Sequence, residues 1–267
     1  MADRVGAVGI SSRVATGAVG NALVEAAFAR LAPRVPLALV DSVTWSAPGN
    51  HPRRTGPTAE PAAVRAALDL LLEDRQPALF LSGYLRTAGQ VHAVAGGLDA
   101  HADPARVYLL DPVLGDQGEL YVDRETAEAV RDLLLPRAQV MVPNETEARW
   151  LAGDEAGALP LAEVVARLVG RAPGLAALVI TGVPAGDDGL AMITWERTTG
   201  AVGGLRVPRL TGHFSGTGDL FTGALAALLC AAPAGAFSAH VARATEFVWR
   251  ATDRLASGGA VTLRDAV

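Results

Sequence analysis

What most limits the folds open to this chain is the alternation of short apolar runs with longer segments of helical period. The runs RVGAVGI from Arg4, PLALVDS from Pro36, ALFLS from Ala78, RVYLLDP from Arg106, QVMV from Gln139 and ALVIT from Ala177 are apolar on both faces. A strand of that kind needs cover on both sides, which a parallel sheet between two helical layers supplies. Helical spacing opens near Gly17, Pro61, Thr87, Arg124, Asn144, Leu161, Gly216 and Phe237. A Thr-Thr-Gly turn divides LAMITWERTTGAVGGLRV, within residues 189–207, into two alternating runs, so a β-hairpin is predicted at the far edge of the sheet. The fold class expected is α/β: a three-layer α/β/α sandwich with a mostly parallel central sheet and a hairpin extension at one edge.

The 267 residues exceed one average domain, yet no Pro/Gly/Ser-rich linker divides them, and a single domain over residues 1–267 is expected. Half of the residues are hydrophobic, enough for a large core. Apolar runs such as LAALVITGV are short and interrupted, and no membrane span or membrane partner is expected. The opening MADRVGAVGI reads as a buried strand rather than a signal peptide, which points to a cytoplasmic protein. A net charge of −5 argues against nucleic acid as a partner. The single cysteine, Cys230, lies within LAALLCAA and reads as an ordinary buried thiol. Lysine is absent, so any phosphate contact must come from arginine, backbone amides or a metal ion.

In open parallel sheets ligands bind outside the carboxyl ends of the strands, and several polar clusters here end strands. The stretch HFSGTGDLFTGALAAL, residues 213–228, is one that would face the same rim. Gly216 and Gly218 permit a tight turn in which the amides of Gly216, Thr217 and Gly218 converge on an anion at a helix amino terminus. Asp219 would then lie beside a phosphate, placed to take a proton from an attacking alcohol. The alternative is a glycine-rich loop whose aspartate caps a helix. In DPVLGDQGELYV, residues 111–122, Asp111 and Asp116 form either an acidic turn or a loop that presents a carboxylate to hydrated Mg²⁺. In VPNETEARWL, residues 142–151, Asn144 and Glu147 share one helical face. A capping box is the favoured reading of that pair, and it is compatible with presenting Glu147 to a metal-bound water.

Gly17 with Gly20-Asn21, SGYL, DPVLGDQGELYV, PNETEARWL and GTGDLF occur in the order and spacing of the pyridoxal kinases, and the chain resembles that family from about Arg4 to Leu255. The resemblance implies a ribokinase-like fold and transfer of the ATP γ-phosphoryl group to the 5′-hydroxymethyl of pyridoxal, pyridoxine or pyridoxamine. It also implies Mg²⁺, often K⁺, and a homodimer. By the same resemblance Asp219 matches the general base, and Gly216, Thr217 and Gly218 the anion hole. Asp116 and Glu147 would hold the metal and its waters, with Asn144 supporting them, Asp111 shaping the loop and Thr181 touching the nucleotide phosphates. Ser12, Val43, Trp45 and Tyr84 match positions around the substrate ring.

The pattern breaks after Trp45. Where pyridoxal kinases commonly continue with Asn-His-Thr, this chain has Ala47-Pro48-Gly49, so three polar side chains near the substrate are missing. His51 is a candidate replacement, although a solvated loop histidine is the commoner case. HPRR, with Arg53 and Arg54, is either a flap over the phosphates or a solvated surface. Two other functions stay open: a hydroxymethylpyrimidine kinase, whose turn usually ends in cysteine where Asp219 stands, and a vitamer- or nucleotide-binding protein without turnover. A dinucleotide oxidoreductase is disfavoured, because the first strand leads into SSRVATGAVGN and not into a G-x-G-x-x-G turn.

Overall fold

In the computed structural model, which describes residues 6–49, 51–212 and 214–267, the first strand β1 (Ala7–Val14) pairs in parallel with β2 (Leu37–Trp45) on one side and β3 (Leu79–Ser82) on the other. Met1 to Val5, with the predicted start of that strand at Arg4, lie outside the described residues, as does His213. Parallel pairing continues through β4 (Val107–Leu110), and a two-stranded ribbon of β5 (Gly115–Asp116) and β6 (Glu119–Leu120) follows it in the chain. Then come β7 (Val140–Met141), β8 (Ala177–Pro184), β9 (Gly189–Glu196) and β10 (Val202–Pro208). The eight-stranded sheet runs in the order β10-β9-β8-β7-β4-β3-β1-β2. Within this sheet β9 alone runs opposite to the other strands, antiparallel to both β8 and β10, and with β10 it forms the expected edge hairpin.

The strand period of two sorts side chains into two cores. Val8, Ile10, Phe80, Leu178 and Ile180 meet the buried faces of α2 (Pro61–Arg75), α3 (Ala88–Ala100), α4 (Arg124–Ala129), α5 (Glu145–Ala152) and α6 (Leu161–Arg171). Ala7, Leu79, Leu81, Leu109 and Val179 meet α1 (Asn21–Leu31), α7 (Thr217–Ala231), α8 (Phe237–Ala256) and the short α9 (Leu263–Ala266). The result is the predicted three-layer α/β/α arrangement. Cys230 is partly buried, its thiol pushed up to about 12 by burial, as expected for an unreactive core thiol.

Two departures from the sequence expectation shape the site. First, β1 does not end at Ile10: Ser11, Ser12, Arg13 and Val14 continue it, because β2 bulges at Ser42 and the pairing resumes from Ser12 against Val43. Apolar periodicity stops at Ser11, so the pattern gave no sign of the extension. Second, α1 starts at Asn21 rather than near Gly17, since Gly17 (φ +80°) and Gly20 (φ +58°) hold the intervening loop in the left-handed region. A Cβ on Gly20 would lie 2.1 Å from the Ser12 carbonyl oxygen, so this loop is pressed onto the end of β1. A smaller departure follows α4, which passes into a π turn (Val130–Leu134) and a 3₁₀ turn (Leu135–Arg137), where Pro136 cannot donate to a helical ladder.

Asn21 ties these parts together. Fully buried, its amide nitrogen lies 3.2 Å from the Ser11 carbonyl, 2.8 Å from that of Val40 and 2.7 Å from Asp41 Oδ1. Asp41 and Glu25 in turn hold Arg13 at 2.9 and 2.7 Å. Replacing Asn21 with alanine would strand two strand-end carbonyls, and we expect a loss of about 2–3 kcal/mol of stability, measured by urea unfolding.

Candidate active site

The helix α7 enters the rim between the end of β1 and the end of β4. Its amino-terminal turn requires glycine at one position only. Gly216 has φ +89°, and a Cβ there would sit 2.4 Å from the Ala18 carbonyl oxygen and 2.5 Å from Leu23 Cδ1, so the turn is wedged against the β1–α1 loop. A Cβ on Gly218 would meet nothing within 4 Å. Thr217, Gly218 and Asp219 occupy the first helical turn, where amides have no partner within the helix and the dipole is positive. Part of the Asp219 side chain is open to the rim, yet packing around its carboxyl is dense enough that burial pushes it up to about 6, against an opposing hydrogen bond from the Gly20 amide.

On the side of β1, β2 and β3 the structure brings together the four residues assigned to the ring. Ser12 and Tyr84 are nearly buried, Val43 completely so. Trp45 and Tyr84 meet edge to face, centroids 5.7 Å apart and planes at 65°. Tyr84 is fixed at both ends of its peptide, its amide donating to Ser11 Oγ at 3.1 Å and its carbonyl accepting from Ser42 Oγ at 2.6 Å. The bulge at Ser42 makes the second bond possible. Segment 46–58 doubles back along β2: the Thr44 amide donates to Pro57, the Ser46 amide to Thr55 and the Ala59 amide to Ser42. His51 stands exposed and accepts from the Arg53 amide at 3.2 Å, an arrangement internal to the loop.

On the side of β4, β7 and β8 lie the carboxylates. Asp111, 6% exposed, accepts from Thr222 Oγ1 of α7 at 2.8 Å. Burial first, and then the charges of Glu147 and Asp219, hold its carboxyl well above the ordinary range. Glu147 is also buried and raised, chiefly by desolvation. It completes a capping box: its Oε2 accepts from the Asn144 amide at 2.8 Å while Asn144 Oδ1 accepts from the Glu147 amide at 2.9 Å. Oε1 accepts from the amides of Leu114 at 2.9 Å and Gly115 at 3.4 Å, and Asn144 Nδ2 donates to the Gly115 carbonyl at 2.7 Å. The capping reading therefore holds, and the same side chains also anchor the loop after β4. Val113 in that loop has φ +44°, a strained value for a β-branched residue, and the turn it forces aims the next two amides at Glu147. Asp116 projects outward with Oδ1 bonded only to the next amide, Gln117. Thr181 lies beside Asn144, its amide donating to the Pro143 carbonyl at 2.9 Å.

This donor set suits a hard cation that keeps several waters. Among the described residues no three Asp, Glu, His or Cys side chains converge tightly enough to enclose an ion. Mg²⁺ is commonly held by one or two carboxylates plus waters and phosphates, so the exposed Asp116 with buried, like-charged Asp111 and Glu147 behind it fits that mode.

Sequence reading missed three features. Thr222 lies three positions after Asp219, on the same helical face, and the spacing alone could have flagged it. Tyr121 at the end of the ribbon exposes 54% of its surface, yet crowding and then the charges of Glu147, Asp111, Asp219 and Asp116 raise its hydroxyl, so it stands over the acidic cluster. The Gly20 amide on Asp219 had no sequence signal, because it depends on how two distant loops dock. An open surface depression of about 460 Å³ lies toward the antiparallel edge, between the turn after β8 (Ala185 to Asp188) and the end of β10.

Comparison with known proteins bears on the family and the fold. The family model described as phosphomethylpyrimidine kinase matches residues 44–262. A pyridoxine/pyridoxal/pyridoxamine kinase of Bordetella avium is 32% identical over 84% of this chain and 77% of its own length. A hydroxymethylpyrimidine/phosphomethylpyrimidine kinase of Synechococcus elongatus is 33% identical over 48% of each chain. Some curated relatives are matched over about half of their length or less, 37% for a Caenorhabditis elegans protein and 48% for one from Arabidopsis thaliana. Among solved structures, the pyridoxal kinase from Leishmania donovani in complex with ADP superposes with a TM-score of 0.83 at 25% identity, covering 97% of this chain and 91% of that one.

The two glycines of the turn differ in what they tolerate. Gly216→Ala should lose about 1–3 kcal/mol of stability through backbone strain and clash with Ala18, whereas Gly218→Ala should unfold within about 0.5 kcal/mol of the parent apart from helix propensity. Thermal denaturation of both variants checks the contrast.

Proposed function

The chain belongs to the pyridoxal kinase family, within the wider phosphomethylpyrimidine kinase family, and on that premise we propose that it transfers the γ-phosphoryl group of ATP to the 5′-hydroxymethyl of a vitamin B6 pyridine. The observation that carries the reading is Asp219: a carboxylate raised by burial to about 6, in the first turn of a helix whose free amides are positive, between an aromatic pocket and an acidic cluster.

The acceptor ring would lie against Trp45, Val43 and Tyr84, with Ser12 offering its hydroxyl to a polar ring atom. Asp219 takes the proton of the ring's hydroxymethyl group as the alcohol oxygen forms its bond to the γ-phosphorus. The bond from that phosphorus to the bridging oxygen breaks with its electron pair going to ADP. The amides of Gly216, Thr217 and Gly218 stabilise the equatorial oxygens during transfer. Asp116 would hold Mg²⁺, with Glu147, Asn144 and Asp111 orienting the loop and waters around it, and Thr181 would contact the nucleotide phosphates. The cation, when bound, offsets the negative charge of those phosphates. The depression beside β10 is the proposed seat of the nucleotide base. A single domain, a homodimer and a cytoplasmic location complete the reading and rest on family membership.

A second acceptor, hydroxymethylpyrimidine, is favoured by the family model and by the Synechococcus relative. Asp219 at the position where the thiamin-pathway kinases usually carry cysteine favours the pyridine.

ADP release with Mg-ATP and pyridoxal, pyridoxine, pyridoxamine or hydroxymethylpyrimidine, offered separately, tests the assignment. Asp219→Asn should lower turnover about 10²- to 10⁴-fold, and full activity in that variant would exclude Asp219 as the base. Because the base acts when deprotonated, kcat/KM should rise with pH as Asp219 titrates near 6 and level off above it. A profile flat from pH 5 to 8 would contradict its role.

A further inference from the structure

The acceptor side of the rim carries cations that the reaction above does not use. Arg54 lies with its guanidinium carbon 4.8 Å from the centroid of the Trp45 ring and donates through Nη1 to the Gly49 carbonyl. It forms no ion pair among the described residues, unlike Arg13, Arg65, Arg124, Arg137 and Arg149, each held by a carboxylate within 2.9 Å. Its charge reaches the Tyr84 hydroxyl, which Arg86 and Arg54 both pull downward against the upward push of burial. Arg86 is engaged only loosely, with Asp123 at 3.4 Å and that carboxylate half exposed. The mouth over Trp45 and Tyr84 is therefore positive, and the loop beneath it, Ala47-Pro48-Gly49, offers no polar side chain. Pro48 instead rests near Gly17 of the β1–α1 loop.

A planar guanidinium seated on an indole, with no carboxylate on it among the described residues, is a receptor for carboxylate or phosphate oxygens. A neutral ring in this pocket would gain stacking but leave that cation solvated, whereas an anionic substituent would gain a charge-assisted bond in a setting partly shielded by two aromatic rings. We propose that Arg54, supported by Arg86, makes the acceptor pocket selective for an aromatic alcohol bearing an anionic substituent, a carboxylate or a phosphate ester. This rests on the assignment of Trp45 and Tyr84 to the acceptor ring. It also accounts for the lost Asn-His-Thr segment: recognition by neutral hydrogen bonds has given way to recognition by charge.

The test is titration calorimetry of the whole protein with three probes: pyridoxine, the same pyridine alcohol with a carboxylate at ring carbon 4, and the same alcohol with a phosphate ester on the hydroxymethyl at ring carbon 4, its 5′-hydroxymethyl left free. The parent protein should bind one or both anionic probes roughly tenfold tighter than neutral pyridoxine, and added salt should narrow the gap. Arg54→Met, which keeps an apolar chain over Trp45, should bring the ratio close to one, and Arg54→Lys should restore part of it. Which anionic probe responds identifies the group recognised. A ratio near one in the parent, or a ratio unchanged by Arg54→Met, overturns the proposal. A loop-clamping role would weaken neutral and anionic probes alike and leave the ratio unmoved. Because Arg54 is exposed, Arg54→Met should melt at the parent temperature. Binding is read whether or not phosphate is transferred, so failure of the kinase reading, seen as no Asp219-dependent ADP with any acceptor, stays separate from failure of this one.

Discussion

At the carboxyl end of the sheet Asp111 lies in the field of two other carboxylates, Glu147 and Asp219, and the rest of the rim is organised by how each of the three is tolerated. Left to themselves, like charges in a poorly hydrated space raise each other and drive protonation. Here each is tied to a different element. Glu147 of α5 is clasped by amides of the loop after β4, Asp111 at the end of β4 by Thr222 of α7, and Asp219 of α7 by the Gly20 amide of the β1–α1 loop. Each tether is therefore also a joint between the loop after β4, the amino terminus of α7 and the β1–α1 loop.

Glycine makes the middle joint possible. Gly20 and Gly216 both sit where a methyl group would overlap a carbonyl, one against Ser12 and the other against Ala18, so the β1–α1 loop is clamped between the end of β1 and the head of α7. The segment packed against the end of β1 thus also carries the amide that bonds to Asp219. Strain at Val113 plays a matching part on the other side, since a left-handed valine is retained only where surrounding bonds over-determine it. Such joints tie together a site drawn from six strand ends.

Much of this was legible in the sequence. Strands apolar on both faces required two helical layers, and the observed sheet obeys that requirement, down to the edge hairpin around its Thr-Thr-Gly turn. Gly216 to Asp219 and the Asn144–Glu147 pair were legible because their spacing is local: a turn, a helix start, one helical face. What escaped reading was set by contacts between distant segments. The extension of β1 through Ser11 to Val14 follows from the bulge at Ser42, and no periodicity announces a bulge. The fold-back of segment 46–58 is written in backbone bonds to β2, and its proline, glycine and arginine content looked like an ordinary exposed loop. The placing of Arg54 on Trp45 depends on that fold-back, so a residue for which a phosphate flap and a solvated surface were both open is exposed and seated on that ring.

The central claim is that the rim delivers a phosphoryl group to an alcohol oxygen freed of its proton by Asp219. Its most direct test is to label the hydroxymethyl oxygen of the acceptor with heavy oxygen and follow the product by phosphorus NMR. The account predicts that the label is retained as the bridging atom between carbon and phosphorus in a phosphate ester, formed in step with ADP. Release of unlabelled inorganic phosphate with the alcohol unchanged would mean that water, and not the bound alcohol, is the group activated at Asp219, and would contradict it.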